Sequence, residues 1–155
     1  MLDHADTSGI RTSPGAPRTA MQARDRVRAL LRSSTVARVG TADVDVEVLL
    51  TDALLVTSEL VTNAIRHGGG LLGFDASLCA GGAGLRITVT DAVSTAPPPS
   101  RPAGPSRPAG AATGQGGYGW PLIHRLARSV RITPAAHGGK RIEVVVPLDG
   151  APRSP

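Results

Sequence analysis

Glu59 and Asn63 stand four residues apart in the segment Ser58–His67 (SELVTNAIRH), inside a long run rich in Leu, Val and Ala. On a helix, residues four apart share a face, so the carboxylate and the amide stack, with Asp52 on the same line. At about 100° per residue, that line borders a wide apolar sector made by Leu49, Leu50, Ala53, Leu54, Val56, Leu60, Val61, Ala64 and Ile65. A sector of that width must face a core. Glu59 and Asn63 are therefore expected where the buried face meets solvent, at the edge of a cleft. Two chemistries suit such a pair. A carboxylate and an amide oxygen can serve a hard divalent cation and its waters. Glu59 can instead take a proton from an attacking hydroxyl. On spacing alone, the same residues also describe an ordinary helix with a polar border.

Two further places carry chemistry. Asp91 ends the strand-like run Ile87-Thr88-Val89-Thr90, at a sheet edge. A carboxylate buried there needs a partner, because an unpaired one is strongly disfavoured. The exocyclic amine of a nucleobase is one candidate, and capping of the next turn is the plainer alternative. The other place is Gly114-Gln115-Gly116-Gly117-Tyr118-Gly119, which leads into a helix. Glycines at 114, 116, 117 and 119 allow close backbone approach, and a helix N-terminus attracts phosphate. A dinucleotide fold would need a strand immediately before this pattern, and a proline-rich stretch precedes it instead. No Lys-Ser/Thr follows, so it is not a Walker loop either.

The elements that must position these groups follow from periodicity and punctuation. Residues 1–18 are polar and broken by Pro and Gly, and read as a flexible arm. Thr19–Ser34 has helical spacing, with Met21, Val27, Leu30 and Leu31 able to share a face. The long helix runs from about Asp43 to His67 and is stopped by Gly68, Gly69 and Gly70. Leu71–Cys79 and Leu85–Asp91 form a hairpin around a Gly-rich turn. Residues 95–113 hold six prolines and a repeated SRPAG, a low-complexity loop without core periodicity. A helix of about Pro121–Arg128 and the strands Ser129–Thr133 and Arg141–Pro147 complete a domain at 19–148. The tail at 149–155 reads as disordered. The expectation is an α+β two-layer sandwich, its mixed and mainly antiparallel sheet covered on one face by helices.

Composition narrows the function classes. With 155 residues and 41% hydrophobic content, one packed domain is expected. The aromatics are Phe74, Tyr118 and Trp120, so the core must be aliphatic. The net charge of +5 comes from scattered arginines, with Lys140 the single lysine. Scattered charge without interleaved aromatics argues against a nucleic-acid groove and leaves attraction to a nucleotide or an acidic protein. Cys79 is alone, so neither an intrachain disulfide nor a cysteine metal cluster forms. The start of the chain lacks the pattern of a signal peptide, and no uninterrupted apolar run suggests a membrane span. A cytoplasmic setting is the expectation.

Taken in order, E-L-V-T-N-A-I-R-H-G at 59–68, Asp91, G-Q-G-G-Y-G-W-P-L-I at 114–123 and G-G-K-R-I-E-V-V-V-P at 138–147 resemble the GHKL (Bergerat-fold) ATPase domain. More closely, they are similar to the bacterial anti-sigma-factor serine kinases and their single-domain actinobacterial relatives. The resemblance implies ATP and Mg²⁺ as cofactors. It implies Asn63 as the metal ligand, Glu59 as general base, and Asp91 as partner of the adenine amine. Gly114, Gly116, Gly117 and Gly119 would form the phosphate-facing loop, and 95–113 the ATP lid, from which Arg101 or Arg107 could reach the phosphates. The partners implied are a sigma factor, an antagonist protein and a second copy of the chain. Two departures stand out: Ala92, Val93 and Ser94 follow Asp91 where the family usually carries glycines, and Arg141 stands where many relatives place a hydroxyl near adenine. They favour, as a second reading, a regulatory module that binds ATP without transferring phosphate.

Overall fold

The computed structural model describes residues 15–35, 46–96, 119–136 and 138–149. Helix α1 spans Ala20–Thr35 and α2 spans Val46–His67. Strand β1 is Leu71–Leu78, a short 3₁₀ turn at Ala80–Gly82 follows, and β2 is Gly84–Asp91. Helix α3 is Gly119–Leu126, β3 is Ser129–Pro134 and β4 is Lys140–Pro147. Residues 1–14 of the expected arm, residues 36–45, 97–118 and 137, and residues 150–155 of the expected tail lie outside the described residues. So do Gly114, Gly116, Gly117, Arg101 and Arg107, and all but the first two residues of the expected lid.

Local chemistry sets the helix ends. Thr19 caps α1 by accepting the Gln22 N–H at 3.2 Å, and Gln22 Oε1 reaches back to the Arg18 N–H at 2.8 Å. At the far end of α2, Gly69 takes φ +71. The Gly68 and Gly70 N–H groups return to the Asn63 and Ala64 carbonyls at 3.0 Å, which closes the last turn. Glu47 in the first turn of α2, and Arg66 with His67 in the last, oppose the helix dipole.

The sheet has the order β1-β2-β4-β3, with every neighbouring pair antiparallel. Its inner face is written by alternation. In β2 the inward row is Leu85, Ile87, Val89 and Asp91, and in β4 it is Val146, Val144, Ile142 and Lys140. These residues meet as cross-strand pairs: Leu85 with Val146, Ile87 with Val144, Val89 with Ile142, and Asp91 with Lys140. Three aliphatic pairs therefore end in one charged pair. The opposite face carries Arg86 and Glu143, 3.7 Å apart, with Arg141 exposed beside them. This is the two-layer arrangement that the sequence suggested.

Helix α2 is the hub. It packs on α1, on α3 and on β1, β2 and β4. Val56, Leu60 and Val61 are fully buried, each contributing about 1.5–3 kcal/mol by transfer from water. Two expectations fail at the edges of this core. Met21 is 61% exposed, and Ala23 takes the inward place on α1, because 23, 27, 30 and 31 is the tighter helical stripe. Ile65 is 44% exposed, on the far flank of the apolar sector. Cys79 is half-buried. The segment Glu47–His67 also has the length and apolarity of a membrane-crossing helix, which the sequence reading did not register. The central helix of a packed domain meets the same criterion, and here its neighbours are α1, α3 and the sheet.

Candidate functional site

The register of α2 places Glu59 and Asn63 one turn apart, both half-buried, with Asp52 two turns before Glu59 and buried. The opposite wall is the start of α3. Gly119, the first residue of that helix, lies so close that a Cβ there would collide with Glu59 Oε2 and stand 3.4 Å from Asn63 Nδ2. A side chain at this point would push the Glu59 carboxylate out of its present place. Pro121 falls within the first turn of α3, where its missing N–H leaves no carbonyl without a partner. Trp120 packs against the core and holds α3 down, its ring centroid 6.1 Å from that of His124.

Asn63 shows what this wall lacks. Its Nδ2 is the one buried side-chain polar atom among the described residues with no hydrogen-bond partner. Buried polar groups are nearly always paired, so an orphan between α2 and the start of α3 marks a place where something else can supply the partner. As it stands, the amide offers a donor to an anion; a half-turn about its axis would offer Oδ1 to a cation.

Asp91 lies under the C-terminal end of α2. Gly68 packs directly on its carboxyl group, and the Ala92 N–H donates to the Gly68 carbonyl at 2.8 Å. From Glu59 to Gly68 the helix advances about 13 Å, so the site runs along α2 with Glu59 and Asn63 towards one end and Asp91 at the other. The partner that Asp91 requires is Lys140, whose Nζ lies 2.8 Å from Oδ2. Here the sequence reading is corrected. It assigned the altered final-strand position to Arg141, whereas Arg141 pairs with Thr90 and points to solvent. Lys140 is the residue that meets Asp91. The signal was available in the single lysine of the chain, but its strand register was not.

A second residue escaped notice. Arg24 on α1 donates from Nη1 to Ser58 Oγ at 3.0 Å and so ties α1 to the turn that carries Glu59. Ser58 Oγ in turn donates to the Leu54 carbonyl at 2.9 Å. Among the described residues, no group of three or more His, Cys, Asp or Glu side chains is gathered as a metal cluster.

The fold and this juxtaposition define an α+β sandwich whose long helix presents an acid and an amide to the glycine start of the next helix. The family model described as histidine kinase-like ATPase domain matches residues 14–146, nearly the whole chain, and the chain belongs to that family. No curated protein matches it at a significant level. Family membership makes this an ATP-binding domain and supports a regulatory role driven by ATP. The residues fit that ligand at the Asn63 end, where an orphaned amide and the glycine at the start of α3 face each other. At the Asp91 end the fit is altered by Lys140.

Proposed function

We propose that this chain is an ATP-dependent protein serine/threonine kinase of the anti-sigma-factor type. It would bind a sigma factor in the cytoplasm and phosphorylate the protein that antagonises that binding. The observation that carries the reading is the pairing of Glu59 and Asn63 against Gly119. Mg-ATP, when bound, supplies the transferable phosphoryl group and the cation that offsets its charge. The chain's own residues do the rest. Asn63 would hold the cation. Glu59, with one carboxylate oxygen beside Gly119, would accept the proton of the substrate serine hydroxyl. Gly119 keeps the start of α3 close to both, and the unpaired N–H groups of a helix start would favour the anionic part of the ligand.

A specific observation favours one other reading. Asp91 is already neutralised by Lys140, so the base end of the site differs from the pattern that the resemblance implied. A regulatory module that binds ATP for shape, without transfer, would tolerate such a change. Single-turnover incubation with γ-labelled ATP, Mg²⁺ and an antagonist protein separates the two. Phosphoserine on the antagonist, lost in Glu59→Ala, is the expected result. A wild-type chain that binds ATP and leaves no phosphoserine on the antagonist rules out the kinase and leaves the module.

A further inference from the structure

Lys140 closes the inward row of β4 opposite Asp91. Its ammonium has three N–H donors and three oxygens around it. They are Asp91 Oδ2 at 2.8 Å, Asp91 Oδ1 at 3.1 Å and the Val93 carbonyl at 3.0 Å. Oδ1 also accepts the Val93 N–H at 3.2 Å. The two side chains are 8% and 2% exposed, and Gly68 lies on the carboxyl group. Ser94 accepts the Gly139 N–H at 3.3 Å, which fastens the turn before Lys140 to the segment after Asp91. The carboxylate is thus paired, covered and tethered from both strands.

That pairing changes what Asp91 can read. A nucleobase amine is a neutral donor, whereas the ammonium adds ion-pair attraction to its hydrogen bonds with the carboxylate. Replacing the ammonium by the amine would also leave a buried cation facing a single carbonyl, which is strongly unfavourable. We infer that Lys140 is a specificity-determining residue that withholds Asp91 from the nucleobase. The cleft then grips its nucleotide at the Asn63 and Gly119 end and discriminates weakly among bases. This rests on the nucleotide reading of the cleft, and the test separates the two.

Calorimetric titration of the full chain with Mg-ATP and with Mg-ITP compares a 6-amino with a 6-oxo purine. In the wild type the two dissociation constants should agree within about threefold. Lys140→Met keeps the apolar stem and removes the charge. It should prefer ATP by about tenfold or more, the worth of a hydrogen bond to a charged acceptor. Asp91→Asn with Lys140→Met leaves no unpaired buried charge and should fold and lose that preference again. A wild-type preference for ATP of about tenfold or more overturns the inference, because Asp91 is then read despite the lysine. A comparable preference for ITP overturns it as well, because Lys140 is then reading the 6-oxo group. The wild-type comparison decides even if Lys140→Met does not fold. Binding of ATP by Lys140→Met alone, with none by the wild type, supports the inference in its strongest form. Binding by none of the forms removes the nucleotide reading and the inference with it.

Discussion

Replacing Asn63 by alanine should separate ligand binding from folding in an unusual way. Most polar substitutions in a partly buried helix lose a bond. Asn63 Nδ2 has none to lose, and it sits buried without a partner. Leaving such a donor unsatisfied costs about 1–3 kcal/mol. Alanine removes that penalty and gains up to about 0.7 kcal/mol of helix propensity. The loss of the amide's packing offsets part of both. The ligand-free variant should therefore be as stable as the wild type or more so, by about 0–2 kcal/mol. For a domain near this size, each kcal/mol moves the midpoint by about 2–4 °C. Saturating Mg-ATP at a hundred times its dissociation constant should add about 2.7 kcal/mol to the wild type, or about 5–11 °C. Asn63→Ala should show almost none of that increment. Scanning calorimetry with and without Mg-ATP measures both quantities on one sample. A ligand-free variant destabilised by more than about 1 kcal/mol would refute the reasoning, since the amide would then be bonded within the fold. A variant stabilised by Mg-ATP as fully as the wild type would refute it equally.

Other substitutions probe neighbouring parts of the same structure. Glu59→Ala should keep the Mg-ATP stabilisation of the wild type and lose phosphoryl transfer by about 10²–10⁴-fold in single turnover, the range of a general base. Gly119→Ala places a methyl group on Glu59 Oε2. It should leave the circular dichroism spectrum unchanged and lower transfer by a similar factor; a rate within about threefold of wild type would show that Glu59 can work from elsewhere. Leu60 is fully buried on the helix that joins every layer. Leu60→Ala should lose about 2–5 kcal/mol in urea unfolding.

Much of this was legible in the residues because the decisive signals are local. The spacing of α2 fixes which groups share a face whatever surrounds the helix, so Glu59 and Asn63 were placed at a cleft edge before any contact was known. The glycines after His67 likewise mark the helix end through their own conformational freedom. What escaped depends on partners. Lys140 and Arg141 are adjacent, and a slip of one residue sends a strand side chain to the other face. Only the pairing of β2 with β4 tells which of them meets Asp91. The Arg24 bridge to Ser58 joins positions 34 residues apart and has no signature in either segment.

The chain holds one tryptophan, and it follows directly on the glycine that faces Glu59. Its indole is half-buried between α3 and the core. With one tyrosine and no second indole in the sequence, near-ultraviolet emission from this molecule arises almost wholly at a single spot. The fluorophore sits beside the contact between Gly119 and Glu59, and a rearrangement of that contact can be followed optically without attaching a label.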